Sequence, residues 1–274
     1  MEEVAKVYHD GVATAIKGFG GPTVAPAIER LEARGQYGPF MKLSVLMPVF
    51  NEATTIEAIV ERVLAVPLDQ EIVLVDDASS DGTADIVSKI QSARVKVIHH
   101  PTNQGKGAAI RTALEAAGGE LIVIQDADFE YDPRDFLQLL APILEGRADV
   151  VYGVRSLAGQ RPIMRFGNWF VTFVTNRLYG QRLSDMETCY KMMRRQTALG
   201  LELECRRFDV EAEITAKLIR AGYTIHEVPI HYTARYENKK LSPWDGLPTM
   251  RALLKYRRWK PAVAALAMKS RRPA

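Results

Sequence analysis

Hydrophobic and polar positions along the chain change period repeatedly between residues 41 and 155. Leu43–Met47 is an apolar run broken only by Ser44, and in the following segment, 54–66, Ile56, Ile59, Val60 and Val63 recur at helical spacing. Ile72–Val75 is the next apolar run, Gly82–Gln91 reads as a helix and Val95–Ile98 as a third strand. Lys106–Ala117 reads as the third helix and Leu121–Ile124 as the fourth strand, before a helix near Asp135–Leu144 and a short strand at Val150–Tyr152. Apolar runs without alternation suit strands covered on both faces, and the amphipathic segments between them supply the covering helices. The pattern predicts βαβ units, an α/β chain with a mostly parallel sheet, and ligands gathered at the C-terminal strand ends. Residues 1–40 read as an N-terminal helical extension broken at Gly18–Pro22, to which no chemistry is assigned. The domain that carries the site is expected at 41–245, with a tail at 246–274.

Composition excludes several classes. The chain has 274 residues, 47% hydrophobic and 25% charged, the profile of a globular protein with a sizeable core. Two cysteines, Cys189 and Cys205, are too few for a disulfide framework and lack zinc-ligand spacing, which points to a reducing compartment. No apolar run approaches the roughly 18 residues of a spanning helix, and MEEVAKVYHD lacks a signal peptide's basic start and apolar core. A soluble, cytosolic chain is the expectation. The net charge of +3 hides an asymmetry: from Arg251 onward there are eight basic residues and no acidic one, which leaves residues 1–250 at −5. An acidic body with a basic tail argues against a nucleic-acid partner.

Candidate chemistry falls at the strand ends. Pro48-Val49-Phe50-Asn51-Glu52 follows the first strand, Asp76 to Thr83 the second, Asn103-Gln104-Gly105-Lys106-Gly107 the third and Asp126-Ala127-Asp128-Phe129-Glu130 the fourth. Any one of these is ordinary turn chemistry; four on one sheet edge point to a site. Asp126 and Asp128 stand two apart in an extended segment, so both carboxylates face one side and suit a hard cation such as Mg²⁺ or Mn²⁺, with substrate phosphates completing its sphere. The competing reading is helix capping by Asp128 and Asp132. No G-x-G-x-x-G, phosphate loop, G-x-S-x-G elbow or H-E-x-x-H is present, and the five histidines read as structural or surface residues.

Taken together, MPVFNE (47–52), VDDASSDGT (75–83), NQGKGAA (103–109), QDADFEYDP (125–133), YGVR (152–155) and DMETCYK (185–191) resemble, in order, glycosyltransferase family 2. The similarity runs over about 41–245 and is greatest to the polyprenyl-phosphate branch, the dolichol-phosphate mannose or glucose synthases. It implies a GT-A fold, a divalent metal and inversion at the sugar's anomeric carbon. By position it implies that Pro48, Phe50, Glu52, Asp77, Lys106, Asp126 and Ala127 bind the nucleotide sugar. Asp126, Asp128 and Glu130 would form the metal set, Glu130 standing where the family often has Gln. Asp128, Arg155, Arg235 and Lys240 would carry catalysis. Arg235 and Lys240 resemble the Arg and Lys of the family's R-x-x-G-x-S-K-like segment, with Asn238 and Lys239 where Gly and Ser are usual.

The implied reaction moves a hexose, mannose favoured and glucose possible, from GDP-mannose or UDP-glucose to polyprenyl phosphate. A phosphate acceptor is anionic near neutral pH and needs no strong base. For a hydroxyl acceptor, Glu211 or Glu213 are the fallback bases; otherwise both read as a solvated or capping helix start. The rivals are transfer to a glycan or glycolipid hydroxyl, a non-catalytic nucleotide-sugar-binding subunit, and a nucleotidyltransferase, for which no Gly-rich loop is found. Processive synthases are disfavoured by the absence of Q-x-x-R-W and of spans. A lipid acceptor requires membrane contact, expected through 166–179, with Trp169, Phe170, Phe173 and Val174, and through the basic tail 251–272 with Trp259. Core packing is an equal alternative for 166–179. The expected location is cytoplasmic, peripheral at the inner face of the membrane.

Overall fold

The computed structural model describes residues 41–235 and 246–261; the N-terminal extension, Lys240 and residues 262–274 of the tail lie outside the described residues. Seven strands form one sheet: β1 (Leu43–Val49), β2 (Gln70–Asp76), β3 (Val95–His99), β4 (Leu121–Ile124), β5 (Val150–Arg155), β6 (Lys191–Arg194) and β7 (Ile225–Ile230). Their order across the sheet is β3-β2-β1-β4-β6-β5-β7. Strands β1 to β4 pair in parallel, as do β5 and β7. Only β6 runs antiparallel, to β4 on one side and β5 on the other. The α/β reading with a mostly parallel sheet therefore holds, and the reversed β6 was not foreseen.

The helices follow the predicted stripes with shorter bounds. Ile56, Ile59, Val60 and Val63 are the buried positions of α1 (Ile56–Leu64), and α2 (Thr83–Val87) is half the expected length. Then come α3 (Lys106–Ala116), a 3₁₀ turn at Pro133–Asp135, α4 (Phe136–Leu144), α5 (Pro162–Tyr179) and α6 (Arg195–Leu199). Last are α7 (Val210–Arg220) and α8 (Gly246–Tyr256). The central strands are buried on both faces, β4 at every position, whereas edge strand β3 is only partly covered. At the N-terminal edge of the sheet, Glu71 accepts hydrogen bonds from Ser44 Oγ (2.6 Å) and the amides of Gly118 (2.6 Å) and Gly119 (3.2 Å). That cluster ties β1 and β2 to the turn entering β4.

Helix α8 begins the segment assigned to the tail, yet Ala252, Leu253 and Tyr256 belong to the same core as the sheet. Trp259 is likewise turned inward, its ring under the Lys217 ammonium at 5.4 Å and its carbonyl accepting from Arg220 Nε. This corrects its expected role as an interfacial anchor. Helix α5 does the opposite. Only Val171, Thr172 and Thr175 are buried, while Phe166, Trp169 and Phe173 are 60%, 57% and 52% exposed. Core packing therefore does not explain this aromatic face. No described helix is long and apolar enough to cross a membrane.

Candidate active site

The C-terminal edge of β1, β2 and β4 opens into a cavity of about 470 Å³, a size typical of small-molecule sites. Eleven of the twelve predicted site residues line it: Pro48, Phe50, Glu52, Asp77, Lys106, Asp126, Ala127, Asp128, Glu130, Arg155 and Arg235. The twelfth, Lys240, is outside the described residues. Tyr131, Glu187, Arg207 and Phe208 also line it, without having been assigned a role from the sequence.

The loops that end β1 and β2 are stitched together. The amide of Asn51 donates to Ser79 Oγ (2.9 Å), that of Glu52 to Thr83 Oγ1 (2.9 Å), and that of Ser80 to Asn51 Oδ1 (2.8 Å). Asn51 and Ala78 sit at φ 52° and 59°, a left-handed conformation that L residues adopt at a cost and that the cross-loop bonds hold in place. Asp77 is buried, and its carboxylate accepts from the amides of Gln104 (2.9 Å) and Gly105 (2.7 Å) and pairs with His100 Nδ1 (2.7 Å). It thus shapes the loop before α3 as well as lining the cavity. Gly105 and Gly107 are required there by contact: a Cβ on either would lie 2.4 Å from the carbonyl oxygen of Arg206 or Cys205. That close approach sets Lys106 at the head of α3, with its ammonium between Asp126 Oδ1 (2.7 Å) and Glu211 Oε1 (3.1 Å). Burial pulls the Lys106 pKa down, but those carboxylates hold it well above the ordinary range.

The Asp126-Ala127-Asp128 segment is anchored from three sides. Gln125 donates its amide to Leu46 and accepts from Tyr190 Oη (2.6 Å), and Thr55 Oγ1 donates to the Ala127 carbonyl (2.8 Å). Asp132, not Asp128, does the capping, accepting the Arg134 amide at the 3₁₀ turn. Burial, then the neighbouring charges of Asp126 and Glu130, raise the Asp128 carboxyl well above the usual range. Two carboxylates so crowded favour a nearby cation, and their oxygens are of the hard type that suits Mg²⁺ or Mn²⁺. Among the described residues no group of three or more His, Cys, Asp or Glu side chains is arranged to hold a metal by itself. Glu130, the third carboxylate of the expected set, lines the same cavity, and its Oε1 accepts the Arg235 amide (2.8 Å).

The basic residues close the far side. Arg235 Nη1 lies 2.8 Å from Glu52 Oε2 and 4.0 Å from Asp128 Oδ2. Arg155 makes a bidentate pair with Asp185, at 2.6 and 2.8 Å, and donates to Asn168 of α5 at 3.1 Å. The fallback bases are not solvated: Glu211 and Glu213 are 5% and 0% exposed. Glu211 pairs with Lys106 and Lys191, and Glu213 with Lys217 (2.7 Å) and the amides of Glu204 and Cys205. Both carboxylates are thus taken up by lysines, and Glu213 does not line the cavity.

Residues 44–199 match the family model described as glycosyl transferase family 2. The chain is 27% identical over 209 residues to an undecaprenyl-phosphate mannosyltransferase of Micrococcus luteus, an alignment that covers 71% of this chain and 85% of that one. It is 26% identical over 239 residues to a polyprenol monophosphomannose synthase of Mycolicibacterium smegmatis, covering 81% and 88%. Among solved structures, glucosyl-3-phosphoglycerate synthase from Mycobacterium tuberculosis, crystallised with Mn²⁺, UDP-glucose and phosphoglyceric acid, superposes with a TM-score of 0.66 at 21% identity, covering 89% and 86%. The shared fold is GT-A.

Proposed function

The chain belongs to glycosyl transferase family 2, and from that membership we propose that it transfers a hexose, mannose in preference to glucose, from a nucleotide-diphosphate sugar to polyprenyl phosphate with inversion. The observation that carries this reading is the pairing of Asp126 and Asp128 at the end of β4 in a cavity that also presents Arg155, Arg207 and Arg235. Pro48, Phe50 and Asp77 would bound the nucleoside end. Asp126 and Asp128 would hold Mg²⁺ or Mn²⁺, which, when bound, supplies positive charge to the leaving diphosphate. Arg155 and Arg235 hold the acceptor phosphate near the anomeric carbon, where its own charge makes a protein base unnecessary. The relatives named above support the acceptor class, since their names specify undecaprenyl phosphate and polyprenol monophosphate.

The exposed face of α5 supports the same reading. Phe166, Trp169 and Phe173 form a continuous ring stack, with centroids 5.7 and 5.5 Å apart, flanked by exposed Arg161, Arg165 and Arg177. Aromatic and basic residues on one surface helix suit an anionic lipid interface, and we assign the membrane contact to it. Asn168 on the same helix contacts Arg155, so a lipid phosphate held at that surface lies beside the cavity. The location that goes with this reading is peripheral, at the inner face of the membrane.

The test is a transfer assay with the full chain, Mn²⁺ or Mg²⁺, and GDP-mannose, UDP-glucose or UDP-N-acetylglucosamine, with and without polyprenyl phosphate. A metal-dependent, organic-soluble product from one donor is expected, reduced at least about a hundredfold by Asp128→Asn. Donor consumption with a hydroxyl acceptor and no lipid product would overturn the acceptor assignment.

A further inference from the structure

Glu187 is a cavity-lining carboxylate with no assigned task. Its Oε1 is sealed from solvent and has no hydrogen-bond partner, and among the described residues no ion pair engages its carboxyl. Burial pushes that carboxyl up to about 7, with Lys191 and Arg155 opposing and Glu211 and Asp185 adding to the rise. The four charged neighbours are already committed, Arg155 to Asp185 and Lys191 to Glu211. A buried acceptor without a donor is unfavourable in the free protein, and at the wall of a ligand cavity it is satisfied by the ligand.

Position identifies which part of the ligand. Because β6 runs antiparallel to β4 and β5, the segment leading into it reaches the edge where those two strands end. The order along that edge is Pro48–Phe50 after β1, Asp126–Asp128 after β4, Glu187 before β6, and Arg155 at the end of β5. Contacts confirm the adjacency: Tyr190 holds Gln125, and the Cys189 amide donates to Tyr131 Oη (2.9 Å). A nucleotide sugar whose diphosphate lies at Asp126 and Asp128 therefore extends its hexose toward Glu187, ahead of the acceptor phosphate at Arg155.

We propose that Glu187 is the residue that recognises the donor's hexose, accepting hydrogen bonds from its hydroxyl groups and so setting sugar preference. Hydroxyls satisfy the carboxyl in either protonation state, whereas a phosphate would be repelled by its charged form. The assignment rests on the donor reading given above.

The experiment is calorimetric titration of the full chain, in Mn²⁺, with GDP, UDP, GDP-mannose and UDP-glucose, for wild type, Glu187→Ala and Glu187→Gln. Glu187→Ala should weaken the preferred nucleotide sugar about tenfold, the value of a hydrogen bond to a charged group, and leave the matching nucleoside diphosphate within about twofold. Glu187→Gln, which keeps shape and one acceptor, should lose less, and its diphosphate affinity certifies the fold. Equal weakening of sugar and diphosphate, or no change in either variant, overturns the role of Glu187 alone. A turnover loss at unchanged sugar affinity does so too, as it would mark a base. A wild type that binds none of the nucleotides overturns the donor reading and this assignment with it.

Discussion

Replacing Lys191 with Met tests whether the floor of the cavity depends on one buried cation. Lys191 is completely buried, and its ammonium donates to the carbonyls of Met186 (3.2 Å) and Thr188 and pairs with Glu211 Oε2. It also stands 4.9 Å over the Tyr152 ring. Methionine keeps the stem and fills most of the volume, so the packing loss is small and the change is electrostatic. Breaking one partner of a buried pair usually destabilises by about 3–5 kcal/mol. Lys106, 3.1 Å from the other Glu211 oxygen, still compensates part of the stranded charge, which places the expected loss near the lower bound. At about 2–4 °C per kcal/mol, the melting temperature should fall by roughly 6–12 °C. Urea unfolding at pH 7 measures the loss, and the double variant Lys191→Met/Glu211→Gln should recover part of it, with a coupling of about 1.5–3 kcal/mol. A single-variant loss below about 1 kcal/mol, or a double variant in which the two losses add in full, would refute the reasoning.

Gly107→Ala forces a Cβ to within 2.4 Å of the Cys205 carbonyl, so it should destabilise by about 1–3 kcal/mol and weaken nucleotide binding by displacing Lys106. Gly167→Ala in α5, where a Cβ meets nothing, should be neutral or slightly stabilising in the same thermal melts. Glu71, held down to about 2 by Ser44, Lys42 and the Gly118 amide against the opposing effect of burial, has a folded pKa below its unfolded one. Its contribution is therefore present above about pH 4.5 and lost as pH falls toward 2, and Glu71→Gln should flatten that part of the stability–pH curve. Trp169→Ser/Phe173→Ser should reduce cosedimentation with anionic vesicles at least about tenfold while leaving nucleotide binding intact; unchanged cosedimentation would refute the α5 assignment.

The strands β1 to β5 were legible because each is a mostly apolar run between turn signals, and for β1, β2 and β4 burial on both faces leaves no alternative place for such residues. The signal fades where one face is open or the strand is short. Lys191-Met-Met-Arg194 has charges at both ends, and β7 contains His226, Glu227 and Pro229, so neither stood out as a strand. Missing β6 hid the consequence of its reversal, namely that DMETCYK meets the site edge head-on. The eleven cavity residues were recognisable by motif, but their partners were not. That Glu211 lies between two lysines depends on bringing Lys106, Lys191 and α7 together across separations of 20 residues or more, and helix-start acids look the same in sequence whether solvated or buried. Trp259 misled for the same reason, since a Trp among basic residues is written identically whether it faces lipid or Lys217.

The arrangement of charge bears on the choice of acceptor. In the cavity wall and behind it, Asp185 is clasped by Arg155, Glu211 by two lysines, and Glu213 by Lys217 and two amides. Each of these carboxylates is already engaged by a cation, so none of the three stands free to meet a neutral hydroxyl, which would require a base. An acceptor that arrives already charged avoids that requirement, and what it needs instead is fixed positive charge at the correct distance. Arg155 meets this description because Asp185 and Asn168 lock its guanidinium, which removes most of the side-chain entropy that a free arginine would lose on binding phosphate. Asn168 belongs to the helix whose opposite face is aromatic and exposed, so the same element that would meet the lipid surface also orients the cation that would meet the lipid's phosphate. A chain selected for a soluble hydroxyl acceptor would have no reason to couple those two features.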